Sequence, residues 1–164
     1  MININIMTDK AKLGFFFILL TVTAVSCERK KNDVIPDVYV DFTMNLNDIE
    51  FINLSSIFGS VYVNASTNNW GQKAAGFGNN GIIVFAGTEG EFYAYDRTCP
   101  HDYFVSEQSV KIGVADIIFA ECPVCKTRYA LTSGGTPLSD GAGKHPLKNY
   151  RTSIMGNYLH VWNH

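Results

Sequence analysis

Residues 38–46 read Val-Tyr-Val-Asp-Phe-Thr-Met-Asn-Leu. Val38, Val40, Phe42, Met44 and Leu46 fall on one side of an extended chain, and Tyr39, Asp41, Thr43 and Asn45 on the other. A period of two is the mark of a strand with one face buried and one face wet. The same reading extends along the chain. Val61-Tyr62-Val63 is a short strand candidate, and Ile82-Ile83-Val84-Phe85 and Phe92-Tyr93-Ala94-Tyr95 flank Gly87-Thr88-Glu89-Gly90 as a hairpin. Ile117 to Ala120 forms a strand leading into Cys122, and Arg128 to Leu131 another, followed by a turn at Ser133-Gly134-Gly135. Tyr150 to Ile154 and Tyr158 to Trp162 pair across Gly156-Asn157. Outside the N-terminal segment no stretch sustains a 3.6-residue apolar period. Several short strands at regular spacing predict an all-β antiparallel sandwich or barrel.

The 164 residues suit one folded domain, and a net charge of −2 with 17% charged residues gives no footprint for nucleic acid. Residues 1–26 are read as a targeting segment. Lys10 and Lys12 precede the uncharged run Leu13 to Val25, too short to cross a bilayer as a helix and typical of a secretory signal. Its boundary, Ala24-Val25-Ser26-Cys27, resembles a bacterial lipobox, with Ala24 where Leu is usual. That resemblance implies a lipidated Cys27 and an exported protein anchored to a membrane, facing the periplasm or the cell exterior. Residues 27–36 then serve as a polar tether and residues 37–164 as the domain. Asn64 to Asn80, rich in Asn, Gly, Ala and Ser, is expected to be a surface loop with Trp70 as an anchor.

With Cys27 set aside, Cys99, Cys122 and Cys125 remain. Three is odd, so a pure disulfide framework leaves one thiol over, whereas a metal absorbs all three. Cys99-Pro100-His101 and Cys122-Pro123-Val124-Cys125 each follow a strand candidate. A gap of one or two residues lets both members of each pair reach one centre. Three thiolates and one imidazole suit either zinc or an iron–sulfur cluster. Arg128 to Leu131 reads as a strand, which disfavours a thiol-redox motif of the kind that opens a helix. His145 and His160 are read as structural, and Tyr103 and Phe104 as packing beside the first pair.

From Gly81 to Trp162 the sequence resembles the Rieske [2Fe–2S] domains. Residues 90–102, ending Cys99-Pro100-His101-Asp102, resemble the approach to that family's first cluster loop, and residues 122–129 its second. Gly134 to Leu138 and Pro146 to Tyr150 resemble the family's stretch beyond the second loop. The resemblance implies an all-β, Rieske-like antiparallel sandwich or barrel with two cluster-binding loops. It implies a [2Fe–2S] cluster on Cys99, His101, Cys122 and Cys125, with Thr127 and Tyr129 hydrogen-bonding to sulfur. Cys125 stands where the family has its second His, Lys126-Thr127 where it has Gly-Ser, and Gly141-Ala142-Gly143 lacks the family's loop proline. The extra cysteine pair of the respiratory-complex proteins is absent. A thiolate in place of an imidazole adds negative charge and lowers the reduction potential. The expected role is electron transfer with a redox partner protein or membrane complex. Oxygenase activity is disfavoured, since such enzymes carry a separate catalytic iron domain. The alternative is a binding or structural module in which zinc or a disulfide pins the same loops.

Overall fold

A computed structural model describes residues 32–67 and 75–163. The signal segment, Cys27, Trp70 and His164 lie outside the described residues, and so do the readings placed on them.

The expected all-β architecture is what the chain adopts. Among the described residues, ten strands form two antiparallel sheets: β1 (Asp41–Asn45), β2 (Ser60–Val63), β3 (Ile82–Ala86), β4 (Phe92–Asp96), β5 (Gly113–Asp116), β6 (Phe119–Glu121), β7 (Arg128–Ala130), β8 (Thr136–Pro137), β9 (Asn149–Met155) and β10 (Tyr158–Trp162). The larger sheet runs β1-β10-β9-β4-β3-β2 and the smaller β5-β6-β7-β8. Helix α1 (Pro100–Ser106) lies between β4 and β5.

The alternation at 38–46 works as its period demands. Val40, Phe42 and Met44 are buried in a core with Val61, Val84, Leu159 and Val161, while Tyr39 faces outward. Strand β3 is apolar at every position because both of its faces are covered. Ile82, Val84 and Ala86 enter that first core, and Ile83 and Phe85 enter a second, between the sheets, with Tyr95, Ala120, Tyr129, Leu131 and Leu147. Strands β9 and β10 close through Gly156-Asn157, where Gly156 takes φ 61°, a conformation open to glycine at little steric cost.

Two parts of the expectation change. Ile117 and Ile118 form the turn between β5 and β6 instead of a strand, and Ile117 is exposed. The segment after Cys99 is helical instead of an open loop. Pro100 presets the first helical φ, its missing N–H is one no helix would use there, and Asp102 adds an acidic residue to the first turn.

The second core carries the site, and polar anchors hold it to the large sheet. Tyr95 donates its hydroxyl to Leu131 O at 2.7 Å. Arg97 stacks on the Tyr62 ring at 3.7 Å and donates from Nε to Ile112 O, while the Tyr62 hydroxyl accepts the Val114 N–H. Asp96, fully buried at the end of β4, accepts from the backbone of Thr98 and Phe77 and from the Tyr150 hydroxyl. That carboxylate fixes Thr98, the residue before Cys99.

Candidate metal centre

Three free thiols meet at one end of the second core. Cys99 caps α1 and Cys122 ends the strand run through β6; both are fully buried, and Cys125 is partly so. The Cys99 and Cys125 sulfurs are 3.6 Å apart. The second pair is set by a tight turn: Lys126 N–H donates to Cys122 O, and Val124 N–H points at Cys122 Sγ at 3.4 Å. Lys126 closes the turn at φ 60°. That left-handed conformation is strained for a residue with a Cβ, which gives a physical reason for glycine to be favoured at such a position.

The fourth donor in this cluster is a carboxylate. One ligand atom each from Cys99, Asp102, Cys122 and Cys125 lie within 4.8 Å of one another. The Cys122 thiol donates to Asp102 Oδ2 at 2.8 Å. His101 is half-buried beside this group but outside it. Helical winding is the cause. At 3.6 residues per turn, a residue three past Cys99 returns to within about 60° of it, whereas one two past lies roughly 200° round. An extended loop brings Cys and the residue two on to one side, and a helix brings the residue three on.

The two hydroxyls singled out from the sequence also lie against sulfur. Tyr129 Oη is 3.4 Å from Cys99 Sγ, and Thr127 Oγ1 is 3.2 Å from Cys125 Sγ. Thr127 in turn accepts the Gly143 N–H at 2.9 Å, which draws the 141–146 loop over the site.

The ionisation balance is set by burial and these bonds. Burial opposes the charge on Asp102, but hydrogen bonds from Cys122, Cys99 and Cys125 and the nearby His101 outweigh it, and the carboxyl sits below its ordinary range. The hydrogen bond with Cys99, then burial, then Asp102 push the Cys122 thiol up, and burial pushes Cys125 up. Burial and the contact with Cys99 push the Tyr129 phenol up, so it remains a hydrogen-bond donor. Without a metal the Cys122 and Cys125 thiols stay protonated, and a soft cation is what makes thiolates stable here. The donor set therefore fits a metal.

Sequence reasoning missed Asp96 and Asp102. Only Asp102 had a signal, since Pro-x-Asp after a potential cap is a helix-start pattern. Of the other residues weighed, Tyr103 packs edge-on against Phe77, whereas Phe104 is exposed with its ring 4.8 Å from that of His145. His160 pairs with Asp41 across β10 and β1.

Gly143 is where the covering loop can be disturbed. A Cβ there stands 2.6 Å from Thr127 Cγ2 and 3.2 Å from Tyr129 Oη. Gly143→Ala is expected to lift the loop and destabilise the protein by about 1–3 kcal/mol in urea unfolding. An unchanged midpoint means that the loop is not packed as described.

No protein-family model matches the chain, and neither does any curated protein. Among solved structures the chain is similar to the complex of reduced oxygenase and oxidized ferredoxin in carbazole 1,9a-dioxygenase (16% identity, 77% of this chain and 94% of that one, TM-score 0.46). It is also similar to the ferredoxin of carbazole 1,9a-dioxygenase from Nocardioides aromaticivorans (14%, 78% and 100%, TM-score 0.45) and to the Sphingomonas yanoikuyae ferredoxin (16%, 68% and 94%, TM-score 0.43).

Proposed function

We propose that this protein is an electron carrier whose Cys99, Cys122 and Cys125 hold an iron–sulfur centre of the Rieske-like [2Fe–2S] kind, and that it is not itself an enzyme. The observation that carries this reading is the pair of hydroxyls, Tyr129 and Thr127, each placed on a different ligand sulfur. Hydrogen bonds to ligand sulfur orient the ligands and, at a redox centre, raise its potential. When bound, the cluster supplies one-electron chemistry. The chain's residues supply its ligands, bury two of the three sulfurs, and keep the Tyr129 proton on the sulfur it faces.

With at least three anionic ligands the centre takes up an electron less readily than one with two imidazoles. The expected potential is roughly −400 to −150 mV. Tyr129→Phe removes one sulfur hydrogen bond and shifts it further down, on the order of tens of millivolts. Protein-film voltammetry checks both. A potential above zero, or no shift in the variant, contradicts the reading.

The compactness of the donor group favours zinc as the second reading. A tetrahedral ion with Zn–S near 2.3 Å sets its sulfurs about 3.8 Å apart, close to the 3.6 Å between Cys99 and Cys125. Zinc would make the domain a binding or structural module.

The partner is proposed to be a redox protein or membrane complex docking over the site. Val124, between the second pair of cysteines, is 60% exposed, and Phe104 and Val105 on α1 are 64% and 67% exposed. Membrane anchoring through Cys27 belongs to the same reading. Asn32 donates to Pro146 O, and Lys148 Nζ donates to Ile35 O at 2.8 Å, so residues 32–35 pack beside the covering loop. Asn32 is five steps along the chain from Cys27, a span of at most about 18 Å. A lipid on Cys27 therefore holds the site end of the domain close to the bilayer, in the periplasm or at the cell exterior. Intact-mass analysis that finds no fatty acid on Cys27 removes the anchor from this proposal.

A further inference from the structure

We propose that Asp102, and not His101, is the fourth ligand of the centre held by Cys99, Cys122 and Cys125. This rests on the reading of the three thiols as a metal centre, and it changes the ligand chemistry of that centre from three thiolates and an imidazole to three thiolates and a carboxylate.

Geometry is the first support. The Asp102 carboxylate is within 4.8 Å of all three sulfurs, and no imidazole nitrogen belongs to that group among the described residues. Helical winding from Pro100 to Ser106 fixes this placement through the backbone, since the residue three past Cys99 shares its face. Tyr103 N–H donates to Cys99 O at 3.2 Å, so the first helical bond closes on Cys99 at the N-cap. Bringing His101 into the group instead means unwinding the first turn.

Burial is the second support. Asp102 is 8% exposed, and none of the salt bridges among the described residues involves it. A carboxylate taken out of water needs a charge partner or a metal. Its neighbours within the cluster are thiols, which become anions themselves when they bind a cation. In the metal-free protein those thiols donate to the carboxylate, Cys122 at 2.8 Å; on binding a cation they give up the protons that Asp102 accepts, and the metal itself takes the place of the lost donors. Oxygen is an accepted donor to zinc, and it is a harder ligand than imidazole for iron.

Four anionic ligands also give the centre the charge of an all-thiolate site. Its potential then lies at the low end of the expected window, and with no imidazole among the ligands it does not vary with pH near neutrality.

The test uses the full chain purified with its metal, and it begins on the unmodified protein. Pulsed EPR of the reduced centre is expected to show no strongly coupled nitrogen. His101→Ala is expected to keep the full metal content and an unchanged spectrum. Asp102→Ala is expected to lose metal to a chelator at least tenfold faster, with circular dichroism reporting whether it still folds. A strong nitrogen coupling that disappears in His101→Ala overturns the proposal, and that result stands whether or not Asp102→Ala folds. Zinc without sulfide in the unmodified protein defeats the iron–sulfur reading alone. The ligand question is then answered by the ring-nitrogen NMR shifts of His101 in the zinc-bound protein: values of a free imidazole support Asp102, and values of a metal-bound one overturn it. Protein that never takes up metal overturns both.

Discussion

Cys122→Ala is expected to abolish metal binding, taking iron from about two per chain to background while the two sheets stay folded. Cys122 is fully buried and joins both halves of the site. Its thiol donates to Asp102 on α1, and its carbonyl and sulfur both receive N–H groups from the turn that aims Cys125. Removing that sulfur leaves two thiols and a carboxylate, too few donors to close a four-ligand site. The lost atom is small and lies at the margin of the second core, away from the Val40–Phe42–Met44 layer. The metal-free variant should therefore lose little stability relative to metal-free wild type. Metal analysis and circular dichroism read the two quantities separately. Retention of wild-type metal by Cys122→Ala contradicts the assignment.

The second large effect falls on stability. Asp96→Ala is expected to destabilise the fold by roughly 4–9 kcal/mol, because hydrogen bonds to a charged group are each worth about 1.5–3 kcal/mol and three lose their acceptor together. The donors are Thr98 N–H at 2.8 Å, Phe77 N–H at 2.7 Å and the Tyr150 hydroxyl at 2.7 Å, and Thr98 and Asp96 are completely buried. Burial, then the Asp96 charge, hold the Tyr150 phenol well above its ordinary range, so it donates at any ordinary pH. Tyr150→Phe removes one of the three bonds and should cost about 1.5–3 kcal/mol. Urea unfolding of both variants checks the ordering. Since Thr98 leads into Cys99, the Asp96 variant should also hold metal less tightly. Equal midpoints for Asp96→Ala and wild type would rule out this carboxylate as the support of the first loop.

The strands with one buried face were legible from period two alone: 38–46 for β1, and the β9–β10 hairpin through its Gly-Asn turn. Strand β3 was legible by composition, since a strand buried on both faces reads as a continuous apolar run. Strand β5 was not, because Gly113-Val-Ala-Asp is short and largely open to solvent on its outer residues, which leaves no alternation to read. The three cysteines of the site were recoverable from parity and spacing. Asp102 was not recovered, because a Cys-x-His pattern invites an extended reading in which period two pairs Cys99 with His101. Seven helical residues after Cys99 replace that period with 3.6 and carry the next residue inward. Asp96 went unread for a different reason: a buried carboxylate is identified by the donors around it, and those come from residues 77, 98 and 150, far apart in sequence.

Lys126 shows the same limit from the other side. Its place after Cys125 reads as an ordinary charged surface residue, yet the turn holds it at φ 60°. The turn must close so that Cys122 and Cys125 face one point, and the backbone adopts the strain for that purpose.

The most direct test of the account is a count of iron, acid-labile sulfide and zinc on anaerobically purified protein, alongside its visible absorption spectrum. The account predicts about two irons and two sulfides per chain, a reddish-brown colour and no stoichiometric zinc. One zinc per chain without sulfide, or a colourless protein free of metal, contradicts it.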